Sequence, residues 1–209
     1  MMINIVLSGD NAVVIAMASK NLPLAQRKQA IWWGTSGAVG LRLLLTLLAV
    51  AVLKVPYIQA VGSLLLLWIA VKLLNEDEGH AQIKEASSLP KAIWTIILAD
   101  LVMSLDNVLA IAAAAKGDIG VIMLGIGLSV PLIVWGSTIV MKLLQRYPVL
   151  IFLGAAILGY TAGEMFVKDE SMQRLFITEG SKLHHLIPLA STSLVLLAGL
   201  IKRLIPRRA

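Results

Sequence analysis

The chain has no cysteine and only three histidines among its 209 residues. The lack of cysteine excludes disulfides, thiolate metal sites and cysteine nucleophiles. Charged residues are also scarce, at 14% of the chain, whereas a typical soluble domain has about 25%. Hydrophobic residues make up 58%, and the mean hydropathy is +0.87. This composition predicts an integral membrane protein whose main partner is the lipid bilayer.

Seven apolar stretches are long enough to cross a hydrocarbon core of about 30 Å, which takes about 20 helical residues. They cover residues 2–19, 30–53, 56–74, 91–115, 119–143, 147–167 and 187–205. The expected fold is an all-α membrane protein with seven transmembrane helices, forming a single transmembrane domain over residues 1–209. Two longer polar connections, 75–90 and 168–186, are too short to be domains of their own.

The distribution of basic residues predicts the orientation of the chain. Twelve Lys and Arg residues lie on the side reached after the odd-numbered spans, and five lie on the other side. The positive-inside rule assigns the richer side to the cytoplasm. We therefore expect a multi-pass protein of the cell membrane with its N-terminus outside, loop 75–90 in the cytoplasm, loop 168–186 outside and a cytoplasmic C-terminus. Because the basic residues stand singly or in pairs between apolar runs, no nucleic-acid partner is expected.

One tetrapeptide pattern, Ser-x-Asp-Asn, occurs twice. Ser8-Gly9-Asp10-Asn11 returns 96 positions later as Ser104-Leu105-Asp106-Asn107, and we call these two segments the hallmarks. The similarity extends around them, so that residues 1–74 and 91–167 form two repeats of three spans, followed by a final helix at 187–205. Because each repeat has an odd number of spans, the second must be inverted relative to the first, as in many secondary transporters.

The repeated carboxylates lie at matching depth. Asp10 is ten residues from Lys20 at one end of its span, and Asp106 is ten residues from Lys116 at the opposite end of its own. At 1.5 Å per residue, each lies about 15 Å from a membrane face. A charged residue near the bilayer centre costs roughly 2.5–3.5 kcal/mol on insertion scales, so a functional role is favoured for both.

Carboxylate and amide oxygens are ligands that suit Mg²⁺, Ca²⁺ and Mn²⁺. The two hallmarks offer the carboxylates of Asp10 and Asp106 and the amides of Asn11 and Asn107, and two carboxylates balance one divalent cation. Additional ligand oxygens are available from the hydroxyls of Ser8 and Ser104. Two alternatives stay open: hydrogen bonding between helices, and a proton relay without metal. Packing alone does not explain polar pairs repeated at matched depth, so the cation site is favoured.

The hallmarks resemble those of the TerC integral membrane proteins, within the lysine-exporter-like superfamily. The resemblance covers nearly the whole chain. It implies a seven-helix transporter that exports Mn²⁺, with Asp10, Asn11, Asp106 and Asn107 as metal ligands. Mn²⁺ is then the transported ion, and no cofactor is expected.

Three further charged residues lie within the spans. Arg42 and Asp100 have no charged match in the other repeat, and a structural ion pair between them is the first interpretation. The second makes Asp100 an additional ligand or a proton carrier. Glu164, near the outer end of its span, is either an entrance or exit ligand that takes part in gating or a carboxylate wetted at the interface.

The leading hypothesis is a secondary transporter that exports divalent cations, with Mn²⁺ first, by rocking the two repeats against each other. No phosphate-binding loop is present that would indicate ATP as the energy source. The rivals are a membrane scaffold that assists assembly or metallation of secreted proteins, and a Ca²⁺/proton exchanger. We expect no enzyme, because no span offers a nucleophile together with a base. A homo-oligomer and a partner in the secretion machinery stay open.

Overall fold

A computed structural model describes residues 9–48, 55–75, 88–114, 119–176 and 182–204, and only the backbone at 9–10, 106–114, 119, 121–122, 129, 176 and 202–204. Every regular element in these ranges is an α-helix. They are α1 Gly9–Ser19, α2 Leu24–Leu47, α3 Ile58–Asn75, α4 Leu89–Ala114, α5 Ile119–Arg146, α6 Val149–Lys168, α7 Glu170–Phe176 and α8 Leu183–Leu204. The all-helical class is therefore confirmed for the described residues.

Five of the described helices have segments long and apolar enough to cross a membrane. These segments are Leu24–Leu47, Ile58–Asn75, Met123–Arg146, Val149–Lys168 and Leu183–Ile201. All five tryptophans, Trp32, Trp33, Trp68, Trp94 and Trp135, are more than half exposed, as expected for a surface that faces lipid. The protein is thus a multi-pass membrane protein, and the count of seven spans stays a prediction.

Two boundaries differ from those expected. Helix α2 begins at Leu24 instead of residue 30, since Pro23 precedes its first turn and its polar start lies outside the apolar run. The connection 168–186 was expected to be a loop, but it contains α7 and the start of α8. Asp169 explains α7, because its carboxylate accepts hydrogen bonds from the backbone N–H groups of Ser171 and Met172 at 2.9 and 3.0 Å.

The helices form two compact units. Unit 1 comprises Met1–Val55 and Ile83–Pro148, and unit 2 comprises Pro56–Gln82 and Val149–Ala209. Unit 1 therefore holds α1, α2, α4 and α5, the predicted spans 1, 2, 4 and 5, and unit 2 holds the predicted spans 3, 6 and 7. Each unit combines helices from both sequence repeats. The expectation of a single transmembrane domain over the whole chain stays a prediction.

In unit 1, α2 packs on α4, α1 packs on α5, and further contacts join α1 to α4 and α2 to α5. Two glycines bring α2 close to α4. A Cβ on Gly34 would come within 2.8 Å of Ile96 Cδ1, and one on Gly37 within 2.7 Å of Ile97 Cδ1, so neither position accepts a side chain without a shift. The contacts follow the same order along both helices, which therefore run parallel.

In unit 2, α6 packs between α3 and α8. Two of its glycines meet α8, where a Cβ on Gly159 would lie 3.1 Å from Thr192 Cα, and one on Gly163 would collide with the backbone of Pro188. Asp169 also reaches α3, since its Oδ2 accepts a hydrogen bond from the Ala60 N–H at 3.1 Å. This one carboxylate therefore holds the starts of α3 and α7 together at one end of the unit.

Candidate functional site

Most of the buried polar side chains that the structure describes lie in unit 1. Ten buried polar or charged side chains of the described residues lie there, against two in unit 2, Ser63 and Asp169. The ten are Asn11, Ser19, Lys20, Thr35, Arg42, Thr46, Thr95, Asp100, Ser104 and Ser137. Burying unpaired polar groups in a membrane protein is costly, so buried polar side chains indicate pairing or a function. Unit 1 is therefore the part of the described chain where a polar functional site is best supported.

Three of these side chains form one network between α2 and α4. The Arg42 guanidinium makes a salt bridge with Asp100 Oδ1 and donates from Nε to Ser104 Oγ at 2.8 Å. Ser104 Oγ in turn donates to Asp100 Oδ2 at 3.2 Å. Arg42, Asp100 and Ser104 are 3%, 8% and 0% exposed. The network closes on itself, and both oxygens of Asp100 accept bonds from protein groups.

The structure thus brings Arg42 and Asp100 together, as a structural ion pair requires. It adds Ser104, which the sequence had offered as a metal ligand. The serine hydroxyl donates its only proton in a hydrogen bond to Asp100 and accepts a hydrogen bond from Arg42, which leaves its oxygen one lone pair. In this arrangement Asp100 and Ser104 belong to the network that joins two helices, and the geometry favours the structural interpretation of Asp100 over a ligand.

The proposed metal ligands lie mostly beyond the described side chains. Ser8 is outside the described residues, and for Asp10, Asp106 and Asn107 only the helical backbone is described. Asn11 is 2% exposed, inside unit 1. The hallmark residues from Asp10 onward lie on α1 and α4, which pack on each other. Among the described side chains there is no group of three or more His, Asp or Glu residues that could hold a metal. The four-ligand site stays a prediction.

Glu164 lies in unit 2, on α6. Its Oε2 accepts a bond from Lys168 Nζ at 3.3 Å, one turn along the same helix, and its side chain is 42% exposed. Exposed pairs of this kind contribute little to stability. The position agrees with the interpretation of Glu164 as a wetted interfacial carboxylate.

The sequence had not singled out two buried hydroxyls of unit 1. Ser19 Oγ and Thr35 Oγ1 have no hydrogen-bond partner among the described atoms. Thr35 lies seven residues before Arg42, so both are on one face of α2. Helical periodicity was the available signal, since Thr35, Arg42 and Thr46 follow one another along a buried stripe that is otherwise made of small or apolar residues.

The family described as "Integral membrane protein TerC family" matches residues 1–207. The chain belongs to the TerC family. The resemblance drawn from the two hallmarks is therefore confirmed. No solved structure matches the chain.

Three relatives of this chain are bacterial membrane proteins. The uncharacterized membrane protein YjbE of Bacillus subtilis is 44% identical over 198 residues, covering 95% of this chain and 90% of the relative. YceF of the same organism, also named an uncharacterized membrane protein, is 30% identical, with 76% and 65% covered. The UPF0053 inner membrane protein YgdQ of Escherichia coli K12 is 27% identical, with 70% and 69% covered. These names describe membrane proteins and give no substrate.

Proposed function

We propose that this TerC protein is a secondary transporter that carries divalent cations, Mn²⁺ first, out of the cytoplasm. Asp10, Asn11, Asp106 and Asn107 are its proposed ligands. The observation that carries the proposal is the pairing of α1 with α4 in unit 1, because these two helices bear the two hallmarks. Two carboxylates and two amide oxygens would then meet in the unit that holds most of the buried polar side chains described.

Charge balance supports a divalent ion. In the Arg42 network one guanidinium neutralises the one carboxylate of Asp100. Asp10 and Asp106 bring two further carboxylates to the proposed site. Two negative charges match a single M²⁺ ion, which offsets most of the cost of burying them. An oxyanion would meet two carboxylates of its own sign and would be repelled.

The packing of unit 1 also supports the inverted repeat. If α1 corresponds to α4 and α2 to α5, then exchanging the repeats turns the α1–α5 contact into the α4–α2 contact, and both contacts are present. The same exchange leaves the α1–α4 and α2–α5 contacts unchanged. Contacts that match in this way are expected when two inverted copies close around a central site.

Ion flux in proteoliposomes tests the proposal. Vesicles that enclose a metal-sensitive dye should respond to external Mn²⁺ only when they contain the protein. Parallel measurements of Ca²⁺ flux, with and without a pH gradient, distinguish a Mn²⁺ transporter from a Ca²⁺/proton exchanger. No metal flux under any of these conditions would contradict the transporter and favour the membrane scaffold. Glu170→Gln, which removes a largely exposed carboxylate of α7, is the matched control and should transport like the wild type.

A further inference from the structure

We infer that Arg42 is a positioning residue for ion binding, which acts through Ser104 on the second hallmark. This inference rests on the proposed function, because it concerns the same ion site. Arg42 belongs to α2, and its Nε holds the hydroxyl of Ser104, the first residue of the hallmark on α4, at 2.8 Å. The ligand pair Asp106 and Asn107 follows two and three residues later on the same helix.

The network holds α4 in one rotation about its axis. The Arg42 guanidinium contacts Asp100 and Ser104, which are one helical turn apart on α4. A helix held at two points of one face cannot turn about its axis or slide along its neighbour without breaking one of these bonds. The rotation of α4 decides the direction in which residues 106 and 107 leave its backbone. Arg42 therefore pre-organises half of the ion site without touching the ion.

The planar guanidinium group of Arg42 makes this arrangement possible. Nε and the terminal nitrogen of one planar group bind two different acceptors at once. A lysine carries the same charge on a single flexible ammonium group, so it can neutralise Asp100 but cannot also fix Ser104. Arg42→Lys should therefore keep the charge balance of unit 1 and lose the alignment.

The sequence offers the first hallmark no matching arginine. The position matching Arg42 is about Ile133, and the position matching Asp100 is Asn4, so the repeat provides no guanidinium for Ser8. The two halves of the site are thus unequal. Ser8→Ala becomes the natural comparison for Ser104→Ala, because it removes the equivalent hydroxyl from the half without the arginine.

The test is a set of Mn²⁺ uptake curves in proteoliposomes for the wild type, Arg42→Lys, Ser104→Ala, Ser8→Ala and the two double variants that contain Arg42→Lys. Arg42→Lys and Ser104→Ala should each raise KM about two- to tenfold, the factor that corresponds to one lost hydrogen bond. The maximal rate per inserted protein should change little. Together they should raise KM no further than the larger single effect, since both remove the same bond. Any factor by which Ser8→Ala raises KM should multiply the factor from Arg42→Lys in the double variant.

The controls separate the possible failures. Thr95→Ala removes a hydroxyl of α4 that bonds only within its own helix, to Lys91 O at 2.9 Å, and should leave KM unchanged. A wild type without Mn²⁺ flux would contradict the proposed function itself. With an active wild type, KM effects of Arg42→Lys and Ser104→Ala that multiply, or a fall in maximal rate alone, would overturn the positioning role. If Arg42→Lys does not fold, Ser104→Ala decides, because it keeps the salt bridge; an unchanged KM there also overturns the inference.

Discussion

Arg42 of α2 and Asp100 of α4 form a salt bridge in the interior of unit 1, with both side chains at least nine-tenths buried. The two residues belong to different sequence repeats. The bridge therefore joins one repeat to the other inside a single compact unit, and Ser104 extends the joint to the second hallmark.

The first prediction concerns the stability of this pair. Arg42→Leu or Asp100→Leu alone strands a buried charge and should destabilise the protein by about 3–5 kcal/mol, whereas replacing both by leucine can be nearly neutral. Thermal unfolding in detergent should therefore show two weakened single variants and a double variant that recovers most of the loss. Losses that simply add would mean that the two side chains do not stabilise each other.

The second prediction concerns the ion ligands. Asp10→Asn and Asp106→Asn keep the size of the side chain but remove one of the two charges that balance the ion. Each should abolish Mn²⁺ flux while the protein still inserts, and Asn11→Ala and Asn107→Ala should only raise KM. Flux is measured in proteoliposomes and insertion by recovery from the membrane fraction. Near wild-type transport in both aspartate variants would rule out the assigned site.

The third prediction concerns which parts of the protein move during transport. We expect unit 1 to move as one body, instead of the two repeats rocking against each other. Rocking would pull α2 away from α4 and break the buried bridge. Because the chain has no cysteine, Gly34→Cys with Ile96→Cys provides a clean cross-link. A Cβ on Gly34 lies 3.1 Å from Ile96 Cβ, slightly less than the about 3.5–4.5 Å of disulfides.

The oxidised double-cysteine protein should transport Mn²⁺ nearly as fast as its reduced form, with thiol titration confirming the cross-link. Each single-cysteine variant, treated with the same oxidant, controls for oxidation itself. Flux that disappears on oxidation and returns on reduction would show that α2 and α4 separate during transport, in favour of rocking repeats.

The fourth prediction compares two glycines. Gly163→Ala places a methyl group against the backbone of Pro188 and should destabilise the protein by about 1–3 kcal/mol. Gly40→Ala meets nothing within 4 Å and should be neutral or stabilise by up to about 1 kcal/mol, since alanine favours helix. Melting temperatures in detergent report both. Equal effects would show that close packing of α6 on α8 does not limit stability.

The fifth prediction is the topology. A reporter fused after Ala209 should be cytoplasmic, and one inserted between α7 and α8, within the 168–186 connection, should be external. The reason is the twelve-to-five bias of Lys and Arg. Both reporters on one side of the membrane would remove the basis for inverted repeats and for a shared depth of Asp10 and Asp106.

Hydropathy was sufficient to predict helices, because a membrane-spanning chain has to satisfy its backbone within each segment. It missed the start of α2, where Gln26, Arg27 and Lys28 continue the helix into a polar environment, and it missed α7, which depends on the cap from Asp169. Both omissions have one cause, since an apolar run marks the part of a helix in lipid and not the whole helix.

The network around Arg42 could be predicted only in part. Opposite charges without a match in the other repeat suggested Arg42 and Asp100 as partners. The role of Ser104 was hidden, since a hydroxyl in a hallmark fits a ligand equally well. The division into two units could not be predicted, because a sequence repeat shows which helices are alike and does not show which helices are in contact.

The salt bridge also has a consequence for biosynthesis. Arg42 precedes Asp100 by 58 residues, so a ribosome delivers the guanidinium well before its carboxylate. Until α4 is made, α2 carries a charge whose insertion is opposed by roughly 2.5–3.5 kcal/mol. We therefore expect a nascent chain that ends before Asp100 to hold its second helix less stably in the bilayer than the longer chain that contains α4.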